Sequence, residues 1–132
     1  FNVMNQLSVY NTLSYVRGLN QMDDQDLPQI SPLNGIVGIE YFPFDWMITD
    51  FYTIFFSDQD KVAPDEKTTA GYATFNLKLS IVNLNIAGVR PGISIGFENI
   101  FDKEYRNHLS TNRGFIVSEP GRNIFIRVNL AF

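Results

Sequence analysis

The stretch PGRNIFIRVNLAF, residues 120–132, decides the fold. Ile124, Ile126, Val128, Leu130 and Phe132 recur at every second position, with Phe125, Arg127, Asn129 and Ala131 between them. A period of two belongs to a β-strand with one apolar face, not to a helix. Termini ordinarily fray in water and are polar. A last strand this apolar, ending on a bare phenylalanine, is built to be held by a neighbour.

The same period recurs upstream. In residues 1–15 the odd positions are mostly apolar (Phe1, Val3, Leu7, Val9, Leu13, Tyr15) and the even ones mostly polar. That predicts one strand of roughly fifteen residues, against the usual ~5–6. GIVGIEYF, residues 35–42, puts Gly35, Val37, Ile39 and Tyr41 on one face, and Pro43 is expected to break the ladder there. WMITDFYTIFF, residues 46–56, has no clear phase. Asp50 falls in step with Trp46, Ile48, Tyr52 and Ile54, as a bulge would produce. YATFNLKLSI, residues 72–81, alternates cleanly, with Ala73, Phe75, Leu77, Leu79 and Ile81 opposing Thr74, Asn76, Lys78 and Ser80. In ISIGFENIF, residues 93–101, Ile93, Ile95, Phe97, Asn99 and Phe101 oppose Ser94, Gly96, Glu98 and Ile100.

The result is an all-β chain, an antiparallel up-and-down meander of about six long strands. Its links alternate. Residues 18–35, 57–71 and 102–121 are long and polar, and the other two links are shorter. In such a meander every long link lies at one end, as in outer-membrane barrels with short periplasmic turns and long outer loops. Aromatics gather near strand ends (Tyr41, Phe42, Phe44, Trp46, Phe55, Phe56), as interfacial girdles do.

Composition narrows the classes. The 132 residues fit one domain and carry a net charge of −4, which argues against nucleic acid as a partner. There is no cysteine, hence no disulfide framework and no thiolate metal site. No apolar run approaches the ~18 residues of a spanning helix, which leaves spanning strands open. The opening FNVMNQLSVY is not a signal peptide, so an exported protein would have its true start upstream. Period-two strands with one apolar face equally describe a self-contained small β-barrel or β-sheet binding module, soluble or oligomeric. About six strands fall short of the eight at which closed membrane barrels begin, so a membrane protein of this kind implies a fragment or a shared barrel.

Two motifs sharpen this. FENIFDKEYRNHLS, from Phe97, followed by EPGRNIFIRVNLAF resembles the C-terminal end of TonB-dependent outer-membrane receptors. The resemblance rests on Asn99, Ile100, Phe101, Asp102 and Lys103 with Tyr105 following, on Pro120, Gly121 and Arg122, and on the terminal Phe132. It covers essentially the whole chain, residues 1–132, and is strongest from Phe97 onward. It implies the C-terminal portion of a 22-stranded transmembrane β-barrel, with plug and earlier strands absent. The whole receptor would sit in the bacterial outer membrane and take up a scarce chelate, typically an iron complex with a siderophore or haem. TonB would act through the absent N-terminal part. Ile124, Ile126, Val128, Leu130 and Phe132 would be the signal read by the barrel-assembly machinery, although Leu130 stands where an aromatic is common. Outer-membrane lipid is the implied surroundings.

Individual candidates are sparse. Lys78, Glu98 and Arg127 would face the lumen and contact the plug or one another. His108, the only histidine, is a weak ligand candidate. Alone, without cysteine, it lacks metal-ligand spacing and reads as a solvated loop residue. Asp23, Asp24 and Asp26 lack the glycine and glutamate of a calcium loop. Asp58, Asp60 and Lys61 suggest local pairing, Arg122 a strand-entry contact to carboxylates, and Tyr41 and Tyr105 interfacial rings. No catalytic set or phosphate-binding glycine loop is present, so no enzyme activity, cofactor or metal is expected.

Overall fold

The computed structural model describes residues 2–4, 6–85, 87–111 and 117–131. Its strands are β1 (Asn2–Met4), β2 (Leu7–Ser14), β3 (Leu19–Asn20), β4 (Gln25–Asp26), β5 (Asn34–Phe44), β6 (Met47–Phe56), β7 (Tyr72–Ile81), β8 (Arg90–Glu98) and β9 (Asn123–Ala131). One short helix, α1 (His108–Thr111), interrupts the last loop. Seven strands form one antiparallel sheet in the order β1-β2-β5-β6-β7-β8-β9, and β3-β4 is a separate ribbon within the first long loop. The meander is therefore up-and-down in chain order, as the period predicts.

The register places apolar residues side by side across the sheet. Val9 faces Ile39, Ile39 faces Phe51, Phe51 faces Leu77, Leu79 faces Ile95, and Ile95 faces Ile126. Because side chains alternate, each strand turns its polar residues to the opposite face. There Glu40 faces Asp50, Asp50 faces Lys78, and Ser94 faces Arg127.

The two faces are buried in the reverse of the soluble order. Asp50 is 4% exposed and Thr74, Asn76 and Ser80 are also buried, whereas Ile126 is 70% exposed along with Val37, Ile39, Phe51 and Val128. Of the described apolar side chains only Pro32, Ala63 and Tyr72 are buried. Soluble monomers rarely expose a contiguous apolar face of this extent, and when present it marks an interaction surface. Among the described residues no helix is long and apolar enough to cross a membrane, which says nothing of strands.

Several local expectations change. Residues 1–15 are not one strand. β1 folds back on β2, with Asn2 opposite Ser8 and Met4 opposite Leu7. β5 runs through Pro43 to Phe44, and the missing N–H shows instead as a register shift between Tyr41 and Phe44. β6 contains no bulge, since its register with both neighbours is unbroken from Thr49 to Phe56. Asp50, Ile48, Tyr52 and Ile54 simply share the polar face. β8 begins at Arg90, includes Pro91, and stops at Glu98, so the Asn99–Lys103 box lies just past the strand and not on it. Phe132, the last position of the expected assembly signal, lies outside the described residues.

Candidate functional site

A polar belt crosses the sheet. The Tyr10 hydroxyl on β2 donates to Asp50 Oδ1 on β6 at 2.8 Å, and Lys78 Nζ on β7 lies 3.1 Å from Asp50 Oδ2. To reach β6, the Tyr10 ring must pass over β5, and Gly38 permits this. A Cβ there would lie 2.3 Å from the ring. The belt continues along the register from Lys78 to Gly96 and from Gly96 to Phe125, whose ring would meet a Gly96 Cβ at 2.1 Å. Glu40 and Asp50 are like charges directly opposite each other, an unfavourable pairing that Lys78 offsets from the other side. Lys78, Glu98 and Arg127 all face this side, yet none pairs with another. Lys78 binds Asp50, Glu98 accepts from Asn123 Nδ2 at 3.1 Å, and Arg127 lies 5.8 Å from the Phe125 ring centre.

The belt is tied to the Asn99 box through Asn76. The Asn99 backbone N–H donates to Asn76 Oδ1 at 3.0 Å. Asn99 takes a left-handed backbone, φ 49°, and so does Asp102, φ 54°. Asn and Asp tolerate that region better than other side chains with a Cβ. The buried Asn99 amide then clamps the turn. Its Oδ1 accepts from Lys103 N at 2.9 Å and its Nδ2 donates to Lys103 O at 2.8 Å. Asp102 Oδ1 accepts from Arg122 N at 2.7 Å, and a Cβ on Gly121 would come within 2.6 Å of the same oxygen. Arg122 thus meets a carboxylate through its backbone. Ile100 N donates to Phe75 O, and Phe101 sets its ring edge against Phe75 on the apolar face, 5.3 Å between centres. The motif positions are therefore one structural joint, pinning the exit of β8 to the entry of β9.

Beyond it, the three long loops meet at a buried histidine. His108 is 2% exposed, the most buried side chain described, so it is not a solvated loop residue. Its Nδ1 lies 3.1 Å from Thr69 Oγ1 and its Nε2 3.9 Å from Glu66 Oε2. Glu66 Oε1 also accepts from Gln29 N at 2.7 Å, and Gln59 Nε2 donates to Ile30 O at 2.9 Å. Burial pushes the His108 ring below its ordinary pKa, and the Glu66 carboxylate pulls it partly back. Tyr105 lies tilted against Tyr72, which stacks on Phe56, with centres 4.3 and 4.9 Å apart. It therefore lies against Tyr72 and not on the apolar face. Burial, then the charges of Glu119 and Glu98, push its phenol up.

The remaining candidates are local. Asp23 accepts from Asn20 in the β3-β4 turn, Asp26 lies 3.9 Å from Arg17, and Asp58 accepts from Gly71 N. Tyr41 is exposed on the apolar face, and Phe44 stacks on Trp46 at the short-turn end. Sequence reading did not single out Tyr10, Glu66, Thr69 or Tyr72. Tyr10 sits among polar residues, and Glu66 and Thr69 lie in a loop without period. Among the described residues no three His, Cys, Asp or Glu side chains converge as a metal ligand set.

No family profile matches the chain. No curated protein matches it either. Among solved structures it is similar to the copper transporter OprC, at 27% identity and a TM-score of 0.83, over 97% of this chain and 21% of that one. The chain therefore spans about a fifth of the length of that transporter.

Proposed function

We propose that this chain is the C-terminal wall of a TonB-dependent transporter in the bacterial outer membrane, and that its cargo is a scarce metal. The observation that carries this is the inverted sheet: a buried polar face with an ion pair, and an exposed apolar face formed by neighbouring strands. Lipid on the apolar side and a water-filled lumen on the other satisfy both faces at once. The likeness to a copper transporter supports the same reading. An iron chelate is the cargo suggested by the sequence motifs. Copper now stands first, because the similar structure is named for copper, and iron chelates second.

In this reading β9 closes the barrel by pairing with a strand absent from the chain, which removes its open edge. Ile124, Ile126, Val128 and Leu130 present the apolar ridge for the assembly machinery. TonB and the plug engage the absent portion, and no enzymatic step is assigned.

A deletion strain tests it. Growth limited by copper should fall on deletion and return with the full-length gene, only while the proton gradient is intact. A defect confined to iron-chelate-limited growth would select the second cargo. No defect under either limitation, or a protein recovered from the aqueous fraction without detergent, would refute the proposal.

A further inference from the structure

One carboxylate is shared among the three long loops. The Glu66 side chain is 9% exposed. Its Oε1 accepts from Gln29 N of the first loop at 2.7 Å, and its Oε2 accepts from Ala63 N of its own loop at 3.3 Å. The same Oε2 lies 3.9 Å from Nε2 of His108 in the third loop. The Gln29 backbone is left-handed, φ 58°, a conformation that persists in a residue with a Cβ only where its surroundings enforce it. Glu66 supplies part of that enforcement, and the bond from Gln59 Nε2 to the neighbouring Ile30 O supplies more. The first loop is thus tied down at a strained point. Between it and the second lies a cavity of about 260 Å³, bordered by Gly18, Leu27 and Ile30 on one side and Ser57, Asp58 and Lys61 on the other.

We propose that Glu66 is an acid-released latch: when the His108 ring takes a proton from solvent, the first loop comes away from the second and the cavity between them opens. At 3.9 Å the neutral ring makes no hydrogen bond to Glu66. A buried imidazolium needs a countercharge, and Glu66 is the charge that acts on the ring among the described residues. Lys67, Lys103, Glu104 and Arg106, on the same two loops, line a separate cavity, and Glu119 acts on Tyr105. To reach Nε2 the carboxylate must close by about 1 Å and turn. That draws Oε1 off Gln29 N and removes what holds the strained turn. Burial keeps the ring's pKa below 6.5, so the latch is closed at neutral pH and is lost as pH falls below that value. The device stands on loop contacts alone and is independent of the transported cargo.

The experiment uses the full-length protein in detergent, with any cysteine outside this segment replaced by serine. Nitroxides on cysteines at Met22, at the exposed tip of the first loop, and at Lys61 report the distance between the two loops by pulsed spin resonance. A second pair, at Val37 and Ile126, reports the sheet. From about pH 8 to about pH 4.5 the loop distance should lengthen and broaden while the sheet distance stays fixed. His108→Gln should abolish the change. Glu66→Gln keeps an acceptor for Gln29 N but removes the charge beside the ring, so it should leave the loop closed at neutral pH and move the opening about one unit lower. In each variant the sheet pair at about pH 8 verifies folding. A loop distance indifferent to pH, an opening that survives His108→Gln or is unmoved by Glu66→Gln, or a sheet distance that changes together with the loop would overturn the proposal.

Discussion

Asn99 shows how one side chain can carry a motif. It supplies a backbone geometry, φ 49°, and two hydrogen bonds to Lys103 at once. Asn99→Ala removes the bonds, strands the Lys103 N–H and C=O, and keeps a Cβ in a left-handed turn. It should cost about 2–4 kcal/mol, read from the urea midpoint in detergent. Asn99→Gly relieves the backbone but not the bonds, so it should cost about 1 kcal/mol less than the alanine. His108 makes a pH prediction. Its folded pKa lies below the ordinary value of 6.5 because burial disfavours the charged ring. The unfolded state therefore binds the extra proton first, and stability rises with pH through the window just below 6.5. The contribution is complete above that value and is lost as pH falls towards the folded pKa. Amide protection factors in residues 59–69, corrected for the intrinsic exchange rate at each pH, should fall on acidification, and His108→Gln should flatten the dependence. Asn99 was legible as part of a motif, but its clamp on Lys103 was not. His108 was misread because a lone histidine in a polar loop has no periodic signal of burial.

At the scale of elements, the alternation of β7 and β9 was plain because apolar and polar residues separate fully there. β6 was not, since its apolar side carries Thr49 and Thr53 while its polar side carries Ile48 and Ile54. Only the neighbours' register assigns its phase. The aromatic-over-glycine pairs were also invisible, because they depend on which strands adjoin. Gly96→Ala drives a Cβ into the Phe125 ring and should destabilise by about 1–3 kcal/mol. Phe125→Ala in the same chain should recover much of that loss, and unfolding midpoints of the two singles and the double measure the coupling. Lys78→Met leaves the buried Asp50 carboxylate with the Tyr10 hydroxyl in place of an ion pair. It should cost about 1–3 kcal/mol, and Asp50→Asn added to it should cost little more.

For the whole molecule, the period of two was enough for an all-β meander, and the alternation of long and short links for its two unlike ends. Which side faces solvent was not legible, because a soluble sheet has the same pattern with its apolar face inward. In the proposed function the open seven-strand sheet is one segment of a longer wall; the chain covers 21% of the similar transporter. The central claim is that the apolar face meets lipid. The chain has no cysteine, so single cysteines at 124 to 129 meet no background from this segment; in the full-length protein any cysteine elsewhere is first replaced by serine, and each new site is labelled with a nitroxide in bilayers. Collision rates with oxygen, which concentrates in lipid, and with a water-soluble nickel complex then report each position. The account predicts oxygen-dominated collisions at 124, 126 and 128 and the reverse at 125, 127 and 129. Nickel-dominated collisions at 124, 126 and 128, or no alternation along the strand, would contradict it.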